Sequence, residues 1–187
     1  VVASTGDTYP NAFSGNVALT TKPACSLPMA TLTGLDANTT YFAFVAAVNH
    51  SGSSTPYTAL SATSTLAQTP AAPAAPFDPV SQTSMTVAWN APLNALARTT
   101  YTVEASTATD FTGADDVTLS TVPAGGPMAA VTGLAVNTTY YIQVRALNHN
   151  GLATAFTNLG STATLPGLLA DAAVAGVFPS SLTVSWS

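Results

Sequence analysis

The side chains best suited to chemistry in this 187-residue chain are two histidines. His50 stands in Asn-His-Ser-Gly, and His149 stands in Asn-His-Asn-Gly, 99 residues further along. Imidazole titrates near neutral pH, so either side chain has the chemistry of a general base or a metal ligand. In both places a glycine follows two residues later, which is typical of a turn between strands. Because two isolated turns do not assemble a Ser/His/Asp arrangement, we interpret both histidines as turn residues.

Acidic residues and one thiol are the next candidates. Asp110, Asp115 and Asp116 form the only acidic cluster, and calcium prefers carboxylate oxygens. Their spacing matches no calcium-binding loop, so a solvated loop is the preferred interpretation. Cys25 has no second cysteine to pair with; it is either a reactive or intermolecular thiol beside Lys22 or a quiet residue in a loop or core edge. We therefore predict no catalytic residue, no cofactor, no metal site and no enzyme.

Three asparagines fit the acceptor pattern for N-linked glycans: Asn38, Asn49 and Asn137. Asn38 and Asn137 lie in a segment that occurs twice in the chain, so a structural role would also explain them. The many serines and threonines are suited to O-linked sugars, which would hydrate a surface with few charges. Glycan attachment and a purely structural role both remain open.

Composition excludes several kinds of partner. Lys and Arg number only 3, and the net charge is −5 at pH 7. So few cations cannot neutralise a phosphate backbone, which excludes nucleic acid as a partner. They cannot hold the chain on an anionic membrane surface either. The apolar runs fall short of the ~18 residues of a membrane-spanning helix, so we expect no such segment. Hydrophobic residues make up 47% of the chain, which is too many for a disordered protein.

An internal repeat organises the chain. Three pairs of segments carry it: 32–41 with 131–140, 48–52 with 147–151, and 85–89 with 182–186. The offset is 99 residues for the first pair and 97 for the third. A unit of this length is the size of a β-sandwich domain rather than of a short solenoid repeat.

The order of the repeated segments predicts one complete unit and two partial ones. Residues 1–68 correspond to the C-terminal part of a unit, with strands C to G. Residues 69–164 form the complete unit, and its Pro/Ala-rich leading linker is expected to be extended and semi-rigid and to hold neighbouring units apart. Residues 165–187 correspond to strands A and B of a further unit. Because the chain begins with Val1 rather than Met, we expect it to be processed or part of something longer.

Local patterns are those of β-strands. Met85, Val87 and Trp89 alternate with polar or small residues, which places them on one face of a strand. Residues 140–146 alternate in the same way, and Gly and Pro punctuate the segments between such stretches. No stretch carries a convincing 3.6-residue period. We therefore predict an all-β fold of tandem immunoglobulin-like sandwiches with Greek-key connections.

The chain resembles fibronectin type III domains over nearly its whole length. Seven residues carry the resemblance and are implied to form the structural core: Trp89, Tyr101, Leu134 and Tyr140 in the complete unit, Leu35 and Tyr41 in the first partial unit, and Trp186 in the last. Trp89 would be a large apolar slab between two sheets. Tyr140 resembles the family's tyrosine corner, whose hydroxyl bonds back to the backbone a few residues upstream. The family usually has a proline two residues after this leucine, and Ala37 and Val136 stand at that position here.

Together these features predict a non-catalytic extracellular structural protein, an array of tandem sandwiches that forms a surface fibre, filament or stalk. A unit cut between its strands leaves open sheet edges, which invite pairing with another chain. The segment 171–187 would complete the broken first unit of the next copy by strand complementation, so the expected partner is the chain itself. The alternative is that the 187 residues are a window on a longer tandem array.

A different class of function also stays open. The chain would then be a spacer, or a carbohydrate- or protein-binding module, of a larger secreted enzyme or adhesin. A solvent-exposed aromatic patch would favour this alternative, and Tyr141 and Phe156 are its only outward-facing candidates. Either function implies an extracellular or cell-surface location. The Ala/Thr-rich composition without a cysteine pair resembles that of bacterial surface arrays of this family, so we expect a bacterial source.

Overall fold

The structure, a computed structural model, describes residues 1–13, 15–20, 29–113, 116–123 and 125–187. Over these ranges it contains strands and no helix, which confirms the predicted all-β fold. The strands are β1 (Val2–Ser4), β2 (Val17–Ala18), β3 (Thr40–Val45), β4 (Thr58–Ser64), β5 (Phe77–Val80), β6 (Ser84–Ala88), β7 (Thr100–Ser106), β8 (Val117–Thr121), β9 (Met128–Thr132), β10 (Thr139–Leu147), β11 (Thr157–Ala163), β12 (Ala173–Phe178) and β13 (Ser181–Ser185). In the same ranges, nothing helical reaches the length and hydropathy that crossing a membrane would require.

The first four strands form one antiparallel sheet in the order β2-β1-β3-β4, which we call the head sheet. Val2 pairs with Phe44 and Ala3 pairs with Ala43, so the two pairs project from opposite faces. The face of Val2 and Phe44 is covered by the segment that follows β1, because Tyr9 stacks on Phe44 with ring centroids 5.7 Å apart. We call this the closed face and the face of Ala3 and Ala43 the open face.

Strands β5 to β11 form two further sheets, in the orders β11-β10-β7-β8 and β5-β6-β9, which together we call the central sandwich. One cluster of buried side chains joins the two sheets: Met85, Val87 and Trp89 of β6 and its end, Val131 of β9, Tyr101, Val103 and Ala105 of β7, Tyr140, Ile142, Val144 and Ala146 of β10, and Leu159 of β11. The period of two in β10 accounts for this, since every second side chain is buried and those between are exposed or half-buried. The ring of Trp89 lies 4.9 Å from that of Tyr101.

The last two strands, β12 and β13, pair with each other as a separate two-stranded sheet, which we call the tail hairpin. Its ladder runs from Ala173 opposite Ser185 to Phe178 opposite Ser181. Every residue of β13 is exposed. An isolated hairpin is only marginally stable in water, so this element gains most from a surface that would cover its apolar side.

The proline-rich linker packs against the unit that it leads, while its role in spacing neighbouring units stays a prediction. Ala71 and Asn90 exchange two backbone hydrogen bonds of 2.8 Å, and Thr157 Oγ1 donates to the carbonyl oxygen of Pro70 at 2.6 Å. The linker therefore lies against the central sandwich, and its backbone groups find partners there. The physical reason is that an extended Pro/Ala segment still carries carbonyl acceptors and some N–H donors, which gain by pairing with a neighbouring strand.

Candidate functional site

The two histidines lie in equivalent turns, as predicted, but their surroundings differ. His149 lies in the turn between β10 and β11, where its backbone N–H donates to Asn38 Oδ1 at 2.9 Å. Its Nδ1 lies 3.2 Å from Thr40 Oγ1 of the head sheet. His50 lies in the turn between β3 and β4 and is exposed. The contact of His149 with the head sheet was not foreseen from the sequence.

Among the acidic candidates, Asp110 is hydrogen-bonded within its own loop. Thr112 Oγ1 donates to Asp110 Oδ1 at 2.7 Å, and this hydrogen bond, with a second from the Thr112 N–H, lowers the pKa of Asp110. Asp115, Cys25 and Lys22 lie outside the described residues. Within the described ranges, no three side chains of His, Cys, Asp or Glu come together as metal ligands would.

The three candidate glycan acceptors have different environments. Asn38 is 2% exposed and its Nδ2 donates to Thr99 Oγ1 at 2.9 Å, so a glycan there would require this contact to open. Asn137, its repeat equivalent, is exposed. Both asparagines have left-handed backbone conformations, with φ of 46° and 49°. Asn49 is exposed in its turn, where its Oδ1 accepts hydrogen bonds from two backbone N–H groups.

The core candidates fall into two groups. Five are buried: Trp89, Tyr101, Leu134 and Tyr140 in the central sandwich and Tyr41 in the head sheet. The hydroxyl of Tyr140 accepts a hydrogen bond from the Ala135 N–H at 3.0 Å, and that of Tyr41 accepts one from Asp36 at 3.0 Å. Each is the tyrosine corner that the resemblance implied for Tyr140. The other two candidates are less covered, since Leu35 is half-buried and Trp186 is exposed.

The open face of the head sheet is covered only in part: Ala3 and Tyr41 are buried, but other positions are more exposed than their counterparts in the central sandwich. Leu60 is 54% exposed, whereas its repeat equivalent Leu159 is 5% exposed. Ala47 is exposed, whereas its equivalent Ala146 is fully buried. In the central sandwich the β5-β6-β9 sheet provides the cover. Over the described part of the chain, no second sheet joins the head sheet. A cleft of about 700 Å³ is lined by residues 45–50 and also by Val2 of the closed face.

The tail hairpin carries side chains of the kind that cover such a face. Two sets of three residues are equivalent in the repeat: Met85, Val87 and Trp89 at β6, and Leu182, Val184 and Trp186 at β13. The first set is at most 2% exposed, whereas the second set is 49–62% exposed. Burying one large apolar side chain stabilises a fold by about 1.5–3 kcal/mol. The tail hairpin thus exposes the residues whose repeat equivalents in β6 are buried in the core of the central sandwich.

A polar junction joins the head sheet to the central sandwich. On the sandwich side it consists of Thr99 and residues 148–150, and on the head side of Asn38, Thr40 and residues 63–65. Three more hydrogen bonds cross this junction. Asn148 Nδ2 donates to the carbonyl oxygens of Ser64 (3.4 Å) and Thr65 (3.2 Å). Asn150 Nδ2 donates to Thr63 Oγ1 (3.2 Å). Asn38, Thr99, Asn148 and Ser64 are all buried. Hydrogen-bonded polar groups in such a dry contact favour one relative arrangement of the two sides.

A second polar contact ties the chain to the sandwich just beyond the head sheet. Asn94 Oδ1 accepts from the Gln68 N–H at 2.7 Å, and Asn94 Nδ2 donates to the Gln68 carbonyl oxygen at 2.9 Å and to Tyr101 Oη at 3.1 Å. Sequence reasoning did not single out Asn94 or Thr99, and it gave Asn148 no contact between units. The repeated Asn-His turn was the available signal, because a repeated surface turn is also a natural contact between repeats.

Comparison with known proteins identifies the central sandwich. The family model of the fibronectin type III domain matches residues 71–158. A two-domain fibronectin type III segment of chicken tenascin has 19% sequence identity and a TM-score of 0.50, covering 71% of this chain and 69% of its own. The first to third fibronectin domains of chicken CNTN1 have 18% identity and a TM-score of 0.40, covering 71% of this chain and 45% of their own. A search of curated protein sequences returns no relative that matches.

The tenascin segment supports the fold, and the range matched by the family model contains residues that build the sandwich. Those residues include Trp89, Tyr101 and the tyrosine corner at Tyr140, all of which lie within the matched range. The resemblance inferred from the sequence is confirmed for this range, while the number of units remains a prediction. Over residues 71–158, the chain is a fibronectin type III domain.

Proposed function

We propose that this protein is a non-catalytic extracellular structural protein whose sandwich units follow one another in an array and form a surface fibre, filament or stalk. Fibronectin type III domains are generally non-catalytic and typically extracellular, and their fold suits a structural or adhesion-type role. Residues 1–68 and 165–187 are, in this proposal, the back and front parts of further units of the same kind. Hydroxyl groups rather than charges hydrate the surface, and surface glycans would add to that hydration.

One observation carries the proposal: the two partial units expose complementary surfaces. The open face of the head sheet leaves Leu60 and Ala47 exposed, and the tail hairpin has exposed side chains equivalent to those that cover such positions in the central sandwich. We propose that the tail hairpin of one copy completes the head sheet of the next copy. Head-to-tail contacts of this kind build filaments where successive copies do not close into a ring.

The central sandwich supplies the register of this complementation. Strand β6 pairs with β9, and Thr86 lies opposite Ala130. The repeat equivalents are Thr183 in the tail hairpin and Thr31 in the first unit, and both are exposed. Strand addition in the same register would place Thr183 of one copy opposite Thr31 of the next, with Cβ atoms about 4.5–5.5 Å apart.

A disulfide trap tests this register. The variant carries Thr31→Cys and Thr183→Cys in a Cys25→Ser background, so that only the new pair can be oxidised. Under mild oxidation we expect covalent dimers and higher ladders on a non-reducing gel. The matched control pairs Thr183→Cys with Thr33→Cys, two residues out of register, where diagonal Cβ atoms are about 7–8 Å apart and beyond disulfide reach. Equal cross-linking of both pairs, or none of either, would refute the complementation.

Electron microscopy of the native material, with intact mass on the same sample, tests the array itself. Filaments built from subunits near the 18.7 kDa of this chain are the expected result. An intact mass much larger than that of this chain would indicate a longer tandem array rather than complementation between copies. Dispersed particles at the mass of one copy would refute the fibre.

The alternative function, a binding or spacer module of a larger secreted enzyme or adhesin, has one structural observation to weigh. Tyr141 and Phe156 are both half-buried, so each keeps only part of its side chain exposed. The Arg145 guanidinium, however, lies 4.4 Å above the Phe156 ring and occupies the face on which a sugar would stack. The structure therefore gives less support to a carbohydrate site than to the array.

A further inference from the structure

The junction between the head sheet and the central sandwich has a second, unused set of matching surfaces. On the donor side, the Asn148-His149 turn recurs as Asn49-His50. On the acceptor side, the edge at Asn38 recurs at Asn137. In the described structure the Asn148-His149 turn contacts the edge at Asn38. The Asn49-His50 turn and Asn137 are both exposed.

The two donor turns have the same shape. Asn148 Oδ1 accepts the backbone N–H groups of residues 150 and 152 at 3.1 and 2.8 Å, and Asn49 Oδ1 accepts those of residues 51 and 53 at 3.0 and 2.9 Å. Gly151 and Gly52 close the turns with left-handed φ of 78° and 84°. The Asn49 turn is therefore already in the conformation that docks at the junction, and docking would need little reorganisation.

The two acceptor edges also have the same shape. Thr65 Oγ1 accepts from the Thr39 N–H at 3.0 Å, and Thr164 Oγ1 accepts from the Thr138 N–H at 3.0 Å. The N–H of Asn38 donates to residue 66 at 3.0 Å, and that of Asn137 donates to residue 165 at 3.1 Å. Because the backbone frames agree, the side chain of Asn137 starts from the same place as that of Asn38.

We infer that the Asn49–Gly52 turn of a second copy docks on the Asn137 edge of the first and rebuilds the junction between copies. This inference rests on the proposed head-to-tail array. In such an array one neighbour supplies both parts, because the head sheet that receives the tail hairpin also carries the Asn49 turn. The expected contacts are His50 N–H to Asn137 Oδ1, His50 Nδ1 with Thr139 Oγ1, and Asn49 Nδ2 to the carbonyl oxygens of residues 163 and 164.

The rebuilt junction is expected to be weaker than the one inside the chain. Ser51 replaces Asn150, so the contact equivalent to that of Asn150 with Thr63 is lost. The interface between copies therefore depends mainly on the tail hairpin, and the turn sets how neighbouring copies are held.

Sedimentation equilibrium of the 187-residue chain tests the inference. Asn137→Gly keeps the left-handed backbone but removes the side chain, and His50→Ala removes the ring. We expect His50→Ala to weaken association by about two- to tenfold, because it removes one hydrogen bond, and Asn137→Gly to do the same. Asn90→Gly is the control: this exposed asparagine has no side-chain hydrogen bond within the described residues and lies outside both surfaces.

The disulfide trap separates this inference from the function on which it rests. If Asn137→Gly and His50→Ala weaken association while Asn90→Gly does not, the turn docks as inferred. If the Thr31–Thr183 pair still cross-links but both variants associate like the parent chain, the hairpin docks and the turn inference is wrong. If there is neither cross-linking nor association, the proposed array and the turn contact both fail.

Discussion

The buried amide of Asn38 gives the sharpest test of the junction inside the chain. Asn38→Gly removes the side chain and leaves a backbone that tolerates the left-handed φ of 46°. Two hydrogen bonds of 2.9 Å are lost, one from Asn38 Nδ2 to Thr99 Oγ1 and one from the His149 N–H to Asn38 Oδ1. Glycine rather than alanine is chosen because alanine would add backbone strain to the loss of contacts.

The expected cost follows from those two contacts. Each buried hydrogen bond contributes about 0.5–1.5 kcal/mol net, so the free energy of unfolding should fall by about 1–3 kcal/mol. Part of the change in the free energy of unfolding comes from the glycine itself, since its freer backbone alters the unfolded state. Asn137→Gly measures that part, because Asn137 has nearly the same φ, 49°, and is exposed. The difference between the two variants is the contribution of the junction.

Urea unfolding of dilute protein, at concentrations where copies do not associate, gives the free energies. A loss of 1–3 kcal/mol divided by an m-value of about 1–3 kcal/mol/M lowers the midpoint by about 1 M. Hydrogen exchange locates the effect: amides of β3 and β4 should exchange faster, while those of β7 and β10 keep their protection. A double-mutant cycle with Thr99→Val should show coupling between the two side chains.

The reasoning would be refuted by either of two results. The first is that Asn38→Gly and Asn137→Gly change the free energy of unfolding equally, within about 0.5 kcal/mol, the range of an ordinary surface substitution. The second is that the cycle shows no coupling between Asn38 and Thr99. In either case the buried amide would not hold the head sheet against the central sandwich.

Three further predictions follow from single residues. Trp89→Ala should cost about 3–5 kcal/mol in calorimetry or urea unfolding, whereas Trp186→Ala should cost less than about 1 kcal/mol in dilute chains, because its ring is exposed; equal costs would contradict the assigned packing. Tyr140→Phe should lower stability by about 1 kcal/mol, because one hydrogen bond to its hydroxyl is lost; an unchanged unfolding midpoint would argue against the tyrosine corner. Thr112→Val should raise the pKa of Asp110 towards its ordinary value in a carboxyl NMR titration. Because the folded pKa of Asp110 is lowered, its stabilising effect is present above the unfolded pKa and is lost as pH falls through the folded pKa, and Thr112→Val should reduce that dependence.

The strands and core of the central sandwich were largely predictable from the sequence. Met85, Val87 and Trp89 alternate, and each is buried because a period of two puts every second side chain on the same face. The repeat placed Tyr41 and Tyr140 in equivalent positions, and both hydroxyls accept equivalent hydrogen bonds. Such features depend on local spacing, which a linear sequence contains in full.

Contacts between distant segments could not be predicted in the same way. The sequence marked Asn38 as a candidate glycan acceptor and His149 as a plain turn residue, yet the structure brings them together across 111 positions of the chain. The cover of the closed face could not be predicted either. Tyr9 stacks on Phe44, and the Tyr9 ring lies 4.7 Å from the Tyr57 ring. Which polar or aromatic groups meet depends on how whole sheets are placed, and no local pattern encodes that.

The sequence by itself determined the repeat, the strand pattern, the family resemblance and the residues of one complete core. Only the tertiary structure decided that the linker lies against the central sandwich, that Asn38 and Thr99 are buried at a polar junction, and that Leu60 and Trp186 remain uncovered. The physical reason is that side-chain alternation fixes which face is apolar, whereas burial depends on whether another layer is present to cover that face.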